Sequence, residues 1–330
     1  MQKFVTFVMF VLLMFTAACE QGGNAHGGKN EGSPGNSSND SSNDVQPDTP
    51  LNNSQGFLWK ITEENNTVYL LGSIHAGNDA LYPIRQEIID AFEQSDYIVF
   101  EIDVTEPFSD EYFEQFQEVT RFPESTSLLD TLPHELYEKL DTALDKYEEL
   151  LLQYGWRKDD IDEYKPWFLW MVLEEMHFAY LDYDYDFGIE SFFLDNLRDN
   201  MGILGLELTL SRYRALNNFS LDVQTYLLEK TVDSILEEKD DLAGLLEIWR
   251  AGDLVSLENY AANVTTSRES SEFYSVMLEE RNISMTDQID QLLQDQSGNT
   301  YFIVVGALHF VGDSAISKLL TEKGYEVVRY

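Results

Sequence analysis

The chain has 330 residues, of which 43% are hydrophobic and 13% aromatic, and this composition excludes a disordered protein and supplies enough side chains for a large core. Asp and Glu number 60 against 21 Lys and Arg, which gives a formal charge of −39 and argues against nucleic acid as a partner. The acidity favours attraction of cations and basic peptides, and adaptation to a salty or alkaline medium explains it equally well.

The N-terminus predicts a bacterial lipoprotein signal peptide over residues 1–18. Lys3 precedes a largely apolar run over residues 4–15, which is short for a membrane span, and small residues precede Cys19. Cleavage would leave Cys19 as the lipidated first residue, so we expect an extracytoplasmic protein that is lipid-anchored to the bacterial cell membrane. The alternative is an uncleaved membrane anchor. Cys19 is the single cysteine, which excludes an internal disulfide and a cysteine nucleophile.

Residues 19–55 predict a disordered tether that begins with the lipidated cysteine. Gly, Ser, Asn and Asp dominate residues 20–55, which contain no Phe, Trp or Tyr. A flexible coil of this length reaches about 30 Å, enough to hold a domain clear of a membrane surface. Residues 56–330 are near the upper size for one hydrophobic core, and they predict one domain with a large insertion.

Strand-like segments lie towards both ends of that domain. They are predicted at 57–62, 67–74, 97–103, 202–208, 301–308 and 325–330. The first two are separated by "EENN" and predict a hairpin, whereas the stretch between the third and fourth strands and residues 221–295 are mostly helical in pattern. The expected fold class is therefore α/β (α+β), with a central mixed sheet built from N- and C-terminal βαβ-like units and a large helical insertion.

An apolar strand followed by Gly-x-x-His occurs twice, in "VYLLGSIHAG" and in "YFIVVGALHFVG". Each copy leads into an amphipathic helix and then a strand, so each unit places a histidine, His75 or His309, at the carboxyl end of a strand, where open α/β sheets bind ligands. The motif alone is weak, because Gly23 to His26 in the tether also matches it, and a structural histidine is the alternative. The repeated context favours a functional pair.

Two carboxylates follow the third predicted strand, in "FEID". Alternation along a strand places Glu101 and Asp103 on one face, and we expect that strand to neighbour the one that ends at His75. A neutral imidazole binds metals and accepts protons near neutral pH. Two histidines and a carboxylate predict a site for zinc, manganese or iron, formed by His75, Glu101 and His309 with open positions for water.

Residues 57–330 resemble the TraB/PrgY/GumN family, which includes the Tiki metalloproteases and is distantly similar to erythromycin esterases and the haem-binding ChaN proteins. The resemblance rests on "LWKI", "YLLGSIHAG", "FEID", "DFGIESFFLDNL", "LGLEL", "LEERNISMTDQI" and "YFIVVGALHFVGDSAISKLLTEKGYEV", in that order. The paired motifs and the acidic residue of the family map to the metal set His75, His309 and Glu101. By the same resemblance the predicted catalytic residues are Glu101 and Glu207, and the predicted substrate-binding residues are Glu190, Arg281 and Asn282.

The supporting residues have alternative interpretations. Glu207 could instead cap its strand. Arg281 has no acidic residue three or four positions away, so it contacts a substrate carboxylate, is solvated, or pairs across the fold. Glu190 ends "DYDYDFGIE", which forms either an acidic rim directed at the cleft or a solvated turn, and not an EF-hand, because Phe187 and Phe193 stand where glycine and glutamate are needed.

The resemblance implies metal-dependent peptide cleavage with manganese or cobalt, or inactivation or sequestration of peptide pheromones. We therefore expect a surface-anchored, Tiki-like metal-dependent hydrolase that acts on peptides or related amides, with Mn, Co or Zn as the divalent metal and the membrane contacted through the lipid anchor alone. The alternative is a non-catalytic lipoprotein that binds a peptide or haem. His177, in a very apolar helix, and His134, at a predicted helix start, stay outside the site.

Overall fold

The fold is built on one six-stranded sheet. The computed structural model describes residues 53–105, 109–295 and 297–330. The predicted signal peptide, Cys19 and nearly all of the predicted tether lie outside the described residues. The strands are β1 (Phe57–Glu63), β2 (Asn66–Ser73), β3 (Tyr97–Ile102), β4 (Gly202–Glu207), β5 (Thr300–Gly306) and β6 (Val328–Arg329). Each lies within or next to a predicted strand segment, and the α/β class with a mixed sheet is confirmed.

Strand β5 lies near the middle of the sheet, whose order is β4-β3-β5-β2-β1-β6. Strands β1 and β2 form the predicted antiparallel hairpin, β2, β5, β3 and β4 run parallel, and β6 pairs antiparallel with β1. The expectation that β3 lies beside β2 is therefore wrong. The near-continuous apolar run of β5 is buried on both faces, and such a strand is most stable between two neighbours.

The helices cover both faces of the sheet and fill the predicted insertion. They are α1 (Gln86–Glu93), α2 (Asp110–Thr120), α3 (Leu128–Thr131), α4 (His134–Lys146), α5 (Glu148–Gln153), α6 (Pro166–Tyr180), α7 (Ile189–Asp195), α8 (Thr209–Asn217), α9 (Leu221–Glu237), α10 (Ala243–Ala251), α11 (Leu254–Val264), α12 (Arg268–Tyr274), α13 (Arg281–Gln294) and α14 (Ile316–Glu322). A π-helical turn, Ser275–Glu280, joins α12 to α13. Across residues 53–105, 109–295 and 297–330, no helix is long and apolar enough to cross a membrane.

The apolar side chains of the described residues form two cores. The first core surrounds the sheet and includes Leu70 and Ile303, and the second lies among the inserted helices and includes Trp167 and Leu228. Helix α6 begins with a proline, which suits the first helical turn, and is apolar around almost its whole circumference, so the second core encloses it.

Of the two histidines that were predicted to lie outside the site, one is hydrogen-bonded in the core and the other is at the surface. His177 is buried in α6, where its Nδ1 lies 2.7 Å from the hydroxyl of Tyr147 and its Nε2 lies 2.7 Å from the carbonyl oxygen of Lys239. Both ring nitrogens are therefore satisfied within the core. His134 is the first residue of α4 and is exposed.

Candidate active site

Both Gly-x-x-His motifs end at the same edge of the sheet. Strands β2 and β5 are parallel neighbours in which Ser73 lies opposite Gly306, so His75 and His309 follow adjacent strand ends. Glu101 reaches the same place from β3, on the other side of β5. The structure thus brings together the three residues predicted to bind a metal.

Gly306 lies at the centre of this group. Its backbone N–H donates a hydrogen bond to Oε1 of Glu101 at 2.6 Å. A Cβ atom built on Gly306 would lie 3.0 Å from Nε2 of His75 and 3.1 Å from Oε1 of Glu101. Both contacts are tighter than an ordinary van der Waals approach, so the motif needs glycine here because side chains of the site press against its backbone.

Glu101 is fixed by an ion pair with Arg281. The Nη2 of Arg281 donates to Oε2 of Glu101 at 2.8 Å, while its Nε donates to Oε2 of Glu207 at 2.9 Å and its Nη1 to the carbonyl oxygen of Met277 at 3.1 Å. Burial acts to raise the pKa of Glu101, but its electrostatic interactions with His309, Arg281, His75 and Arg212 outweigh burial and hold that pKa well below its usual range. The carboxylate is therefore ionised at neutral pH.

Arg281 pairs across the fold, which was one of its three alternatives. Its guanidinium is engaged by two carboxylates and a carbonyl oxygen inside the protein. The contact with a substrate carboxylate, another of those alternatives, is therefore not the role that its geometry supports. Glu207, at the end of β4, lies beside the site as the second partner of this guanidinium rather than only capping its strand.

Each imidazole is oriented by a side chain behind it. The Nδ1 of His75 lies 2.8 Å from Oε1 of Glu190, which also accepts a hydrogen bond from the hydroxyl of Ser73. The Nδ1 of His309 is hydrogen-bonded to Oδ1 of Asn282, whose Nδ2 donates to the carbonyl oxygen of His309 at 3.3 Å. Glu190 and Asn282 are buried, so they support the imidazoles instead of lining a surface where substrate could reach them.

Burial determines the charge state of His309. It lowers the pKa of this imidazole to about 3, although Glu101 acts in the opposite direction. His309 is therefore neutral near pH 7, with a proton on the Nδ1 that faces Asn282 and a lone pair on Nε2. That Nε2 lies 3.6 Å from Oε1 of Glu101 and 3.5 Å from Nη1 of Arg281.

Asp103 follows Ile102, the last residue of β3, and its backbone N–H donates to the carbonyl oxygen of Glu207 at 3.0 Å. The Oδ1 of Asp103 accepts hydrogen bonds from the backbone N–H and the hydroxyl of Thr105, at 2.8 and 2.6 Å, and closes the turn that follows the strand. The carboxylate is thus engaged in this turn, and the face that it shares with Glu101 stays a prediction.

Some features of the geometry oppose the predicted metal site and others support it. Within the parts of the chain that the structure describes, no group of three or more His, Cys, Asp or Glu side chains is arranged to hold a metal ion. Both oxygens of Glu101 already accept hydrogen bonds from N–H donors. The donor chemistry of His75 and His309 does fit a divalent metal, because each Nδ1 is held by another side chain, while Nε2 of His75 lies beside Gly306 and Nε2 of His309 lies beside Oε1 of Glu101.

Arg212 belongs to the site although its sequence context did not single it out. It lies in α8 with its Nη1 3.9 Å from Oε2 of Glu101. The buried residues of α8 follow helical spacing and are Thr209, Arg212, Tyr213 and Leu216. An arginine among these buried positions was the signal in the sequence that could have identified Arg212 as a site residue. Burial, and then the charge of Arg281, lower the pKa of Arg212 to about 10, so it remains a cation at neutral pH.

A cavity of about 40 Å³ lies against these residues. His75, Glu101, Arg212 and His309 form its polar part, and apolar side chains such as Trp249 form the rest of its wall. The indole N–H of that tryptophan donates to the carbonyl oxygen of Gly72 at 2.7 Å, which fixes this wall to the sheet. Charged groups in such surroundings interact more strongly than they do in water.

Comparison with known proteins identifies related sequences. The profile of the TraB/PrgY/gumN family matches residues 57–329. "Metalloprotease TIKI1" of Danio rerio is 25% identical over 331 residues, which covers 84% of this chain and 64% of that protein. "Metalloprotease TIKI2" of Xenopus tropicalis is 22% identical over 322 residues, which covers 82% of this chain and 59% of that protein. "Metalloprotease TIKI1" of Homo sapiens is 22% identical over 320 residues, which covers 82% of this chain and 61% of that protein.

The chain thus spans about three fifths of the length of these curated relatives, from 59% to 64%. No solved structure matches it.

The cradle around Gly306 generates the first prediction. In Gly306→Ala the new methyl group would press on His75 and Glu101, and overpacking of this kind costs about 1–3 kcal/mol. We expect a lower free energy of unfolding in urea and altered ¹⁵N chemical shifts of the His75 imidazole. The matched control is Gly244→Ala, since a Cβ at that helical position has nothing within 4 Å. Unchanged imidazole shifts in Gly306→Ala would show that the cradle is not tight.

Proposed function

Because the chain belongs to the TraB/PrgY/gumN family, we propose that it is a metal-dependent hydrolase that cleaves peptides or related amides. The observation that carries this proposal is the convergence of His75, His309 and Glu101 around Gly306 at the carboxyl edge of the sheet. The metalloprotease names of the similar proteins support the same class of reaction.

His75 and His309 would hold the divalent metal through their Nε2 atoms, with Glu101 beside them. When bound, a divalent metal polarises a carbonyl group and lowers the pKa of coordinated water, and manganese, cobalt and zinc are the candidates. The side chains behind the imidazoles, Glu190 and Asn282, hold each Nδ1 and so fix the orientation of both rings. Rigid orientation of this kind is what ligand histidines require.

The proposed role of Glu101 follows from its charge. A general base works best when its pKa lies near the working pH, whereas the pKa of Glu101 is held well below its usual range. Glu101 is therefore better suited to stabilising positive charge at the site than to accepting a proton. Arg281 and Glu207 position that carboxylate, so Glu207 contributes to catalysis through Arg281 and not by contact with the substrate.

The metal hypothesis is tested by removing the imidazoles. We expect His75→Ala and His309→Ala each to lower bound manganese, cobalt or zinc at least about tenfold, since even changes behind metal ligands cost 10- to 100-fold in affinity. Metal content of the purified full-length protein is measured by mass spectrometry after dialysis against each metal. His134→Ala, an exposed histidine, is the control and should match the wild type. Full metal occupancy in the His75→Ala, His309→Ala double variant contradicts the proposal.

Hydrolysis is tested at Glu101. Glu101→Gln keeps the shape of the side chain but removes its negative charge, so we expect cleavage of a peptide library to fall by roughly 10²-fold or more, together with metal content. Asp103→Asn is the matched control, because that carboxylate closes a turn two residues away. Cleavage products are identified by mass spectrometry. Undiminished cleavage by Glu101→Gln would show that the negative charge of Glu101 is not needed for cleavage. If the wild type binds peptides stoichiometrically and releases them intact, the non-catalytic alternative is supported.

We also propose that a lipid on Cys19 anchors the protein to the outer face of the bacterial cell membrane. The support is the sequence of residues 1–18 and the Gly/Ser/Asn-rich tether that follows. Cys19→Ser should abolish lipoprotein processing, so that mass spectrometry finds a protein that lacks the lipid and keeps residues 1–18. Its circular dichroism should stay unchanged, because the residue has no disulfide partner. A Cys19→Ser variant that still partitions as a processed lipoprotein contradicts the anchor.

A further inference from the structure

Arg212 is a buried cation whose hydrogen-bonding capacity is incompletely used. Its side chain is 3% exposed, and its Nε and Nη1 atoms have no hydrogen-bond partner within the described ranges 53–105, 109–295 and 297–330. Oε2 of Glu101 lies 3.9 Å from Nη1 and already accepts a bond from Arg281 at 2.8 Å. A buried charged donor without an acceptor costs free energy, so this position favours an acceptor supplied from outside the chain.

The cavity beside Arg212 has the size of a small anionic group. Its volume is about 40 Å³. At roughly 10–15 Å³ for one water molecule, a cavity of this volume accommodates about three water-sized atoms, which suits a carboxylate group and excludes a large side chain. The apolar part of its wall, which includes Phe57 and Trp249, keeps the local dielectric low and so strengthens a charge-assisted hydrogen bond.

The charge of the whole protein makes this position selective. A chain with a formal charge of −39 repels anions in general, so an anion binds only where a local cation compensates. All three guanidinium nitrogens of Arg281 donate hydrogen bonds inside the protein, whereas Nε and Nη1 of Arg212 have no acceptor among the described residues. The planar guanidinium of Arg212 matches the geometry of a carboxylate.

We propose that Arg212 binds the carboxylate at the free carboxyl terminus of a peptide ligand. This inference rests on the proposed hydrolase function and specifies its substrate class. In an amino acid residue the amide nitrogen is two bonds from the carboxylate carbon. His75 and His309 line the same cavity as Arg212, so a carboxylate bound by Arg212 brings the last peptide bond towards the two imidazoles. Hydrolysis adds the elements of water across that C–N bond and releases one free amino acid and the shortened peptide.

Equilibrium binding tests the inference without requiring cleavage. The purified full-length protein is titrated with N-acetylglycine and with N-acetylglycinamide, which differ only in the terminal group. A charge-assisted hydrogen bond of about 1.5–3 kcal/mol corresponds to a preference of roughly 10- to 100-fold for the carboxylate. Arg212→Gln should remove this preference, and Arg212→Lys, which keeps the charge, should retain part of it.

Arg214→Gln is the matched control. Arg214 lies on the exposed face of the same helix and donates to Gln115, so its replacement should leave the preference unchanged. Wild-type protein that binds both ligands equally, or an Arg212→Gln variant that keeps the full preference, overturns the inference. If Arg212→Gln fails to fold by circular dichroism, the wild-type ligand pair and Arg212→Lys decide the question.

Cleavage assays separate this inference from the proposed function. A carboxylate preference that depends on Arg212, without cleavage of any peptide, supports carboxylate binding and contradicts the hydrolase. Equal cleavage of peptides with free and amidated carboxyl ends, unaffected by Arg212→Gln, supports the hydrolase and overturns the inference. Loss of cleavage in Arg212→Gln without any change in ligand preference also overturns it, because Arg212 would then act on the reacting oxygen.

Discussion

The buried ion pair between Glu101 and Arg281 holds the candidate site together. Glu101 comes from β3 and Arg281 begins α13, and the same guanidinium binds Glu207 at the end of β4. Removing one partner of a buried ion pair costs about 3–5 kcal/mol, because the other charge is left uncompensated. The second oxygen of Glu101 accepts the N–H of Gly306, at the end of β5. Three strands and a helix are therefore fixed relative to one carboxylate, and both motif histidines meet it in a defined position.

The same network separates two roles that a carboxylate can have in a hydrolase. Glu101 accepts hydrogen bonds from two N–H groups and has a depressed pKa, which suits a permanent negative charge. His309 is kept neutral by burial, which leaves its Nε2 lone pair available. The site therefore combines fixed charge with a neutral imidazole, and Nε and Nη1 of Arg212 have no hydrogen-bond partner among the described residues. An anionic ligand group would supply an acceptor for them.

Local sequence patterns predicted the strands, the hairpin and the helical insertion, because these depend on the spacing of apolar residues. The same patterns placed His75 and His309 at strand ends. They could not predict that β5 separates β2 from β3, because strand order depends on packing between distant segments. The partners of Arg281 lie 180 and 74 residues away in the chain, so helical spacing did not indicate them. The signal for Arg212 was of a different kind, namely a charged residue on the buried face of a helix.

The central position of β5 has a consequence for the stage of folding at which the candidate site can form. Thr67 of β2 pairs with Thr300 of β5, so a parallel pair in the middle of the sheet joins segments separated by most of the domain. Such non-local pairing makes folding slow, since a long loop must close before the contacts form. During synthesis, His309 is one of the last residues to leave the ribosome, so Glu101 has no such imidazole beside it until nearly the whole chain is available. The candidate site is therefore completed at the end of synthesis and not during it.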